Sequence, residues 1–350
     1  MTRRELMAAA AGCAPFLLSR KTAEAAEGGF VGLGGAPAAF GLEIRASRAA
    51  DPHADFLDLC HRLELDGCET RLESADAEAV RAFRERAERY RMRVILDTPL
   101  PRDENDVARF DGAVKACQEA GAFSLHAAMT QRRYEQFDAL DAFRRDFARC
   151  QKSVALAEPV LRKYRLKLGI ENHKGWRAAE QAAWLQRLSS EWVGVHFDFG
   201  NNLSLCEDPE ETLRILSPYA IACHIKDMAV EPYEDGFLLS EVPLGDGILD
   251  LARWVAALRQ RDPRIPFDVE TITRDPLKIP VFTQKYWATF DDSYSPLPGR
   301  DLARVLEIVH RNPPKKPLPR TAGLSEERQT RLEAENNLLS IRYARQTLHL

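Results

Sequence analysis

The run LKLGIEN at residues 166–172 alternates apolar residues and ends beside a potential metal ligand, Glu171. Three further runs have the same form. VGVHFDF at 193–199 carries Asp198, IACHIKD at 221–227 carries His224, and IPFDVET at 265–271 carries Glu270. The spacing is 27 residues from Glu171 to Asp198, 26 from Asp198 to His224 and 46 from His224 to Glu270. A βα unit takes roughly 25–35 residues, so these runs fit successive strands of a (β/α)8 barrel, the last preceded by an insertion. The C-terminal ends of such strands converge on one face, where barrel enzymes keep their active sites. Three carboxylates and an imidazole meeting there repel one another unless a cation sits between them, and that set suits a divalent metal.

Outward from these four runs, the pattern predicts eight strands: 40–45, 66–73, 92–100, 122–129, 166–173, 193–201, 221–227 and 266–272. Charged stretches with helical periodicity lie between them, at 51–65, 75–90, 103–120, 138–164, 176–189, 208–216 and 250–261, with 302–310 as the eighth. Strict alternation over eight repeats indicates a closed parallel barrel, an α/β fold. An open doubly wound sheet is the rival, but no glycine-rich phosphate loop follows the first strand. Two long connections, 228–247 and 273–299, leave the presumed active face. The second holds Phe282, Tyr286, Trp287, Phe290 and Tyr294, which suits packing over the site or against another subunit of a homo-oligomer.

The expected layout is a signal segment at 1–26, a TIM barrel at 38–311, and a linker with a C-terminal helical extension at 312–350. Residues 313–319 are a proline-rich spacer. Ser325 is placed to cap the last helix, with Glu326 and Glu327 in its first turn. At the other end, Arg3 and Arg4 precede an alanine-rich stretch and a small-x-small site at Ala23–Ala25. This has the form of a twin-arginine export signal cleaved near Ala25 or Ala26, with no membrane segment afterwards. It implies a periplasmic protein; a basic tail on a cytoplasmic enzyme is the alternative. Apolar residues after Cys13 argue against lipidation there.

A net charge of −4 argues against a surface built for nucleic acid and weakly favours a small-molecule substrate. The seven cysteines form no CxxC pair, so buried free thiols are expected. Strand alternation puts Glu171 with His173, His196 with Asp198, and His224 with Lys226 on shared faces. Inward polar residues near barrel strand ends indicate function.

The chain resembles the xylose-isomerase-like TIM barrels, the sugar isomerase/epimerase and endonuclease-IV-like superfamily, over about 40–311. The motifs that carry the resemblance are IENH at 170–173, FDFGN at 197–201, HIKD at 224–227, LGDGILD at 244–250 and Val269-Glu270. The resemblance implies that Glu171, Asp198, His224 and Glu270 bind one divalent ion. The oxygen-rich set favours Mn²⁺ or Mg²⁺ over Zn²⁺ or Co²⁺. It also implies that Glu171 and Glu270 act as acid and base on opposite sides of a ketose. A metal chelating a carbonyl and the neighbouring hydroxyl acidifies the C–H between them, which leads to an enediolate. One position departs from the pattern. Sugar epimerases of this group usually have a histidine three residues after the aspartate, and here it is Asn201. Asparagine can bond a substrate oxygen but cannot shuttle a proton. His126 is the candidate replacement acid/base, and Lys226 the candidate oxyanion stabiliser. His173, His196, Asn201 and Trp176 are the candidate substrate-binding residues.

The leading expectation is a metal-dependent sugar isomerase or epimerase. The alternative is a lyase or decarboxylase on a 3-keto sugar or glycoside, using the same enediolate. An endonuclease-IV-like nuclease would need more histidines than the eight present and a basic groove. A non-catalytic sugar-binding barrel would leave four intact ligands without a use.

Overall fold

A computed structural model describes residues 32–290 and 299–350. The expected export segment, 1–26, and Tyr294 lie outside them. Eight strands form a closed parallel barrel. Seven of them are β1 (Leu33–Gly35), β2 (Gly67–Thr70), β3 (Arg93–Asp97), β4 (Ser124–Ala127), β5 (Leu168–Glu171), β6 (Val193–Asp198) and β7 (Ala220–Ile225). The chain then makes an antiparallel hairpin, β8 (Asp227–Tyr233) and β9 (Gly236–Val242), before β10 (Phe267–Val269) closes the barrel between β7 and β1. β11 (Leu277–Ile279) pairs with β9, so the two long connections build one three-stranded sheet.

Seven of the expected strands sit where the alternation puts them, and the first does not. The 40–45 run lies at the start of the helix Gly41–Ala50, and the first strand is Leu33–Gly35, ahead of the expected start of the barrel at 38. Three residues, two of them glycine, carry too little side-chain pattern to be read as a strand. The glycine at 34 has a steric cause: a Cβ there would lie 1.8 Å from Asp268 Oδ1. Asp268 fills that space to pair with Arg93 at 2.6 Å, a buried ion pair inside the barrel.

The outer layer holds a second correction. The helix Gly299–Arg311, expected as the eighth barrel helix, packs Val305 and Val309 on Met228, Val230 and Phe237 of the hairpin. The last helix, Glu326–Gln346, takes the place beside β10 and β1 instead. Ser325 caps it by accepting from Arg328 N–H, as expected. The proline-rich segment before it docks through Lys315 Nζ on the Gly245 and Gly247 carbonyls at 3.0 and 2.8 Å. In the aromatic connection Tyr286 is buried against Tyr134, Trp287 and Phe290, and donates to the Ser204 carbonyl at 2.8 Å. It is therefore packed on the turn after β6. The six cysteines among the described residues are buried and unpaired. No described helix is long and apolar enough to cross a membrane.

Candidate metal centre

Parallel register brings the strand ends together. Asp198, the last residue of β6, is level with His224 on β7, and Glu171, the last of β5, is level with His196. One ligand atom each from Glu171, Asp198 and His224 lies within 4.8 Å of the others, and all three residues are buried. Glu270, just past β10, stands next to this trio. Its Oε1 is 3.6 Å from His224 Nδ1, and its Oε2 accepts from Lys226 Nζ at 2.7 Å. Lys226 also donates to Asp198 Oδ2 at 2.7 Å, so one ammonium bridges two carboxylates.

The trio is incompletely satisfied. Asp198 Oδ1 and His224 Nδ1 are buried with no hydrogen-bond partner. A buried carboxylate oxygen and an imidazole nitrogen left bare side by side cost free energy, and a divalent ion between them removes that cost. The donor set of carboxylate oxygens and one imidazole nitrogen therefore fits the expected metal. The charges agree. Burial, together with Glu270 and Glu171, pushes the Asp198 carboxyl well up despite Lys226. Glu171 and Glu270 go the other way. Burial opposes ionisation of both, but His173, His126 and His224 hold Glu171 well below its usual range, and His224 and Lys226 hold Glu270 at about 2.

His224 is oriented from behind. Its Nε2 donates to Glu69 Oε2 at 2.9 Å, which leaves Nδ1 facing Glu270 and the ligand cluster. A carboxylate on the far nitrogen fixes ring orientation and raises basicity in metal-binding histidines. Sequence reasoning missed Glu69. Its signal is an acid in the penultimate position of a short strand.

β6 is locked to β5 by Asn172. Its Oδ1 accepts from Asp198 N–H at 2.7 Å, and its Nδ2 donates to the Asp198 carbonyl at 2.9 Å. Asn172 thus sets the height of Asp198. After β6 the chain turns through Gly200 at φ 76°, where a Cβ would meet Met228 at 2.3 Å. That turn folds Asn201 back so that its amide bonds Glu171 Oε1 at 3.2 Å and also Asp198 Oδ2. Asp227 organises the glycine turn at 244–250. It accepts from the N–H groups of Met228, Gly245, Gly247 and Leu249, so the aspartate of the HIKD run is structural.

The family model for the xylose isomerase-like TIM barrel matches residues 57–288. The chain belongs to this family. Among curated proteins, a 3-oxo-isoapionate decarboxylase of Pectobacterium atrosepticum is 28% identical over 114 residues, which cover 32% of this chain and 42% of the relative. YihM of Escherichia coli, an uncharacterized protein, is 24% identical over 200 residues, or 55% of this chain and 57% of its own. The chain spans about half the length of the curated relatives it matches. Among solved structures, a D-psicose 3-epimerase in the presence of D-fructose superposes with TM-score 0.53 at 14% identity, covering 85% of this chain and 94% of that one. At that identity the likeness is one of fold.

Within this family frame, most of the expected residues meet. His126 Nε2 is 3.3 Å from Glu171 Oε2, and its Nδ1 is 2.8 Å from Asp97 Oδ1, so an imidazole connects Glu171 to an acid at the barrel rim. His196, level with Glu171, has its ring 4.0 Å from that of His224 and 4.6 Å from that of His126. Burial and those two rings keep it neutral at ordinary pH. One ligand atom each from Glu69, His126, His196 and His224 lies within 4.8 Å of the others. His173 lies against the Thr130 carbonyl at 3.3 Å, and burial lowers its pKa to about 4. Trp176 is the exception. It is buried between Phe147 and Trp184, at 5.1 and 5.3 Å between ring centres, in the core under the loop after β5. Its large ring is better matched to that apolar gap than to a polar mouth.

Proposed function

We propose that this protein is a divalent-metal-dependent sugar isomerase or epimerase acting on a sugar-like ketose through an enediolate. The observation that carries the reading is the bare pair Asp198 Oδ1 and His224 Nδ1, buried beside Glu171 and Glu270. A divalent ion held there would polarise a carbonyl and its neighbouring hydroxyl and acidify the C–H between them. The side chains account for the rest. Glu171 projects from β5 and Glu270 from the end of β10, with β6 and β7 between them, so a substrate in the mouth has a carboxylate on either side. Each is ionised, so one can remove a proton and the other, once protonated, can return one. Lys226 places a positive charge between Asp198 and Glu270, where it favours negative charge developing on a substrate oxygen. Asn201 offers an amide where an epimerase of this group has a histidine, and it steadies both ligands.

Decarboxylation of a 3-keto acid is a second reading. The partial match to a decarboxylase favours it. Loss of CO₂ from such an acid also leaves an enolate, so the same residues serve. Incubation of the metal-loaded protein with ketoses and 3-keto acids in D₂O, followed by NMR, separates the two. Deuterium entry with the carbon skeleton intact is the expected result for the first reading, and loss of CO₂ for the second. Neither, with metal bound, would overturn both.

A further inference from the structure

A second group of ligating side chains meets at the other nitrogen of His224. Glu69 on β2, His126 on β4 and His196 on β6 come from alternate strands of the barrel. One ligand atom of each lies within 4.8 Å of the others and of one from His224, and all four residues are buried. Barrel interiors are normally filled by apolar side chains, so a carboxylate gathered with imidazoles there needs a cause.

His196 supplies the strongest clue. It is 0% exposed, and neither of its ring nitrogens has a hydrogen-bond partner among the described residues. A neutral imidazole carries one donor and one acceptor, so both are left unmet. Its Nε2 is 3.8 Å from Glu69 Oε2, too far for a hydrogen bond. His126 Nδ1 is 3.5 Å from Glu69 Oε1 and 2.8 Å from Asp97 Oδ1. Two donors held by one tetrahedral ion, each about 2.0–2.2 Å from it, lie about 3.3–3.6 Å apart. The spacing of both rings from Glu69 is near that range. Glu69 also needs a counter-charge, since its ion-pair contacts among the described residues are all to imidazoles. A proton on a neighbouring ring would balance Glu69 and leave His196 bare. A water molecule would serve His196 and leave Glu69 unbalanced. A divalent ion does both.

We infer that Glu69, His126 and His196 hold a second divalent ion, separate from the one at Glu171, Asp198, His224 and Glu270. His224 stands between the two sites. Its Nδ1 is 3.6 Å from Glu270 Oε1, and its Nε2 is 2.9 Å from Glu69 Oε2. The sites differ in chemistry. The first is mostly oxygen, whereas the second offers two imidazoles to one carboxylate, which suits zinc better than manganese or magnesium. The second ion has a positioning role. It fixes His126, whose Nε2 is 3.3 Å from Glu171 Oε2, and so steadies that carboxylate at the first site.

The test is zinc loading of the full chain. Metal is stripped with a chelator, Zn²⁺ is restored, loose ion is removed by gel filtration, and the zinc retained per chain is counted by mass spectrometry. The wild-type protein should retain a second equivalent beyond the one at the Asp198 site. His196→Leu should lose that equivalent and keep its Mn²⁺ affinity at the first site, followed by calorimetry. Asp198→Asn should keep the zinc at the His196 site. Anomalous diffraction at the zinc edge from wild-type crystals checks the place without any variant, and a peak should lie between Glu69, His126 and His196. A single equivalent with a single peak at the Asp198 site would overturn the inference, as would a second equivalent that survives in His196→Leu. Zinc at the His196 site with none at the Asp198 site would uphold it and remove the metal chemistry proposed above.

Discussion

Glu69 shows how one residue away from the substrate sets the chemistry of another. Its hydrogen bond to Nε2 decides which nitrogen of His224 faces the ligand cluster. Glu69 and Glu270 together also raise the His224 pKa to about 10 against the pull of burial, so a metal arriving at Nδ1 displaces a proton. Glu69→Gln keeps an acceptor of the same shape and loses the charge. Metal affinity, measured by calorimetric titration with Mn²⁺, should weaken about 10–100-fold, the usual cost of losing such a partner. Unchanged affinity would mean that His224 is oriented by its strand alone. At this scale the sequence was most informative where a ligand closes an apolar run, as at Glu171, Asp198 and Glu270. It was least informative for Lys174. A lysine in a loop is usually solvated, whereas this one is 2% exposed.

Among the elements, the last helix does more than extend the chain. Glu333 on Glu326–Gln346 accepts the Leu42 and Glu43 N–H groups, both at 2.8 Å, and so caps the helix Gly41–Ala50, about 290 residues earlier in the chain. Phe40, the residue at that cap position, has no side chain to do this. Asn337 adds a bond to the Ala39 carbonyl at 2.7 Å. Glu333→Ala should cost roughly 1–2 kcal/mol in urea unfolding, the range for a lost cap. Burial raises the Glu333 carboxyl from its ordinary 4.5 to about 7. Between those values the folded protein holds a proton that the unfolded chain releases. This contribution to stability is full below pH 4.5 and is lost as the pH rises through about 7. Glu333→Gln should flatten that fall, seen as a smaller stability difference between pH 4.5 and 7.5 than in the wild type. An identical difference would place the pH response elsewhere. The helix periodicity was legible, with Ser325 as its cap. Its role was not, because a cap supplied from across the chain leaves no local signal. The first strand was hidden for a related reason: Gly34 makes room for the Arg93–Asp268 pair and Gly35 for Leu65, Phe40 and Cys60, so neither carries a pattern. The hairpin of β8 and β9 lay inside what reads as a long loop, since the turn that holds it depends on Asp227 meeting N–H groups about 20 residues on.

For the whole molecule, the barrel gathers acids from distant points of the chain into one buried cluster, which has too little positive charge of its own. The alternation of strands and helices made this legible early. Each strand end points to the same face, so ligands separated by 26 to 46 residues in sequence become neighbours. What the alternation could not show is how the acids share the work. Glu171 and Glu270 are ionised and face each other across β6 and β7, whereas Asp198 is pushed toward protonation and is anchored by Asn172, Asn201 and Lys226. This predicts that the two glutamates move protons and that the aspartate only holds the ion. The most direct measurement is deuterium exchange into substrate by Glu171→Gln, Glu270→Gln and Asp198→Asn, each followed over a series of Mn²⁺ concentrations up to saturation. The two glutamine variants should stay at least about 10²-fold below the wild type at saturating metal, whereas Asp198→Asn should recover most of its rate. Near-normal exchange by either glutamine variant at high metal would contradict this division of roles.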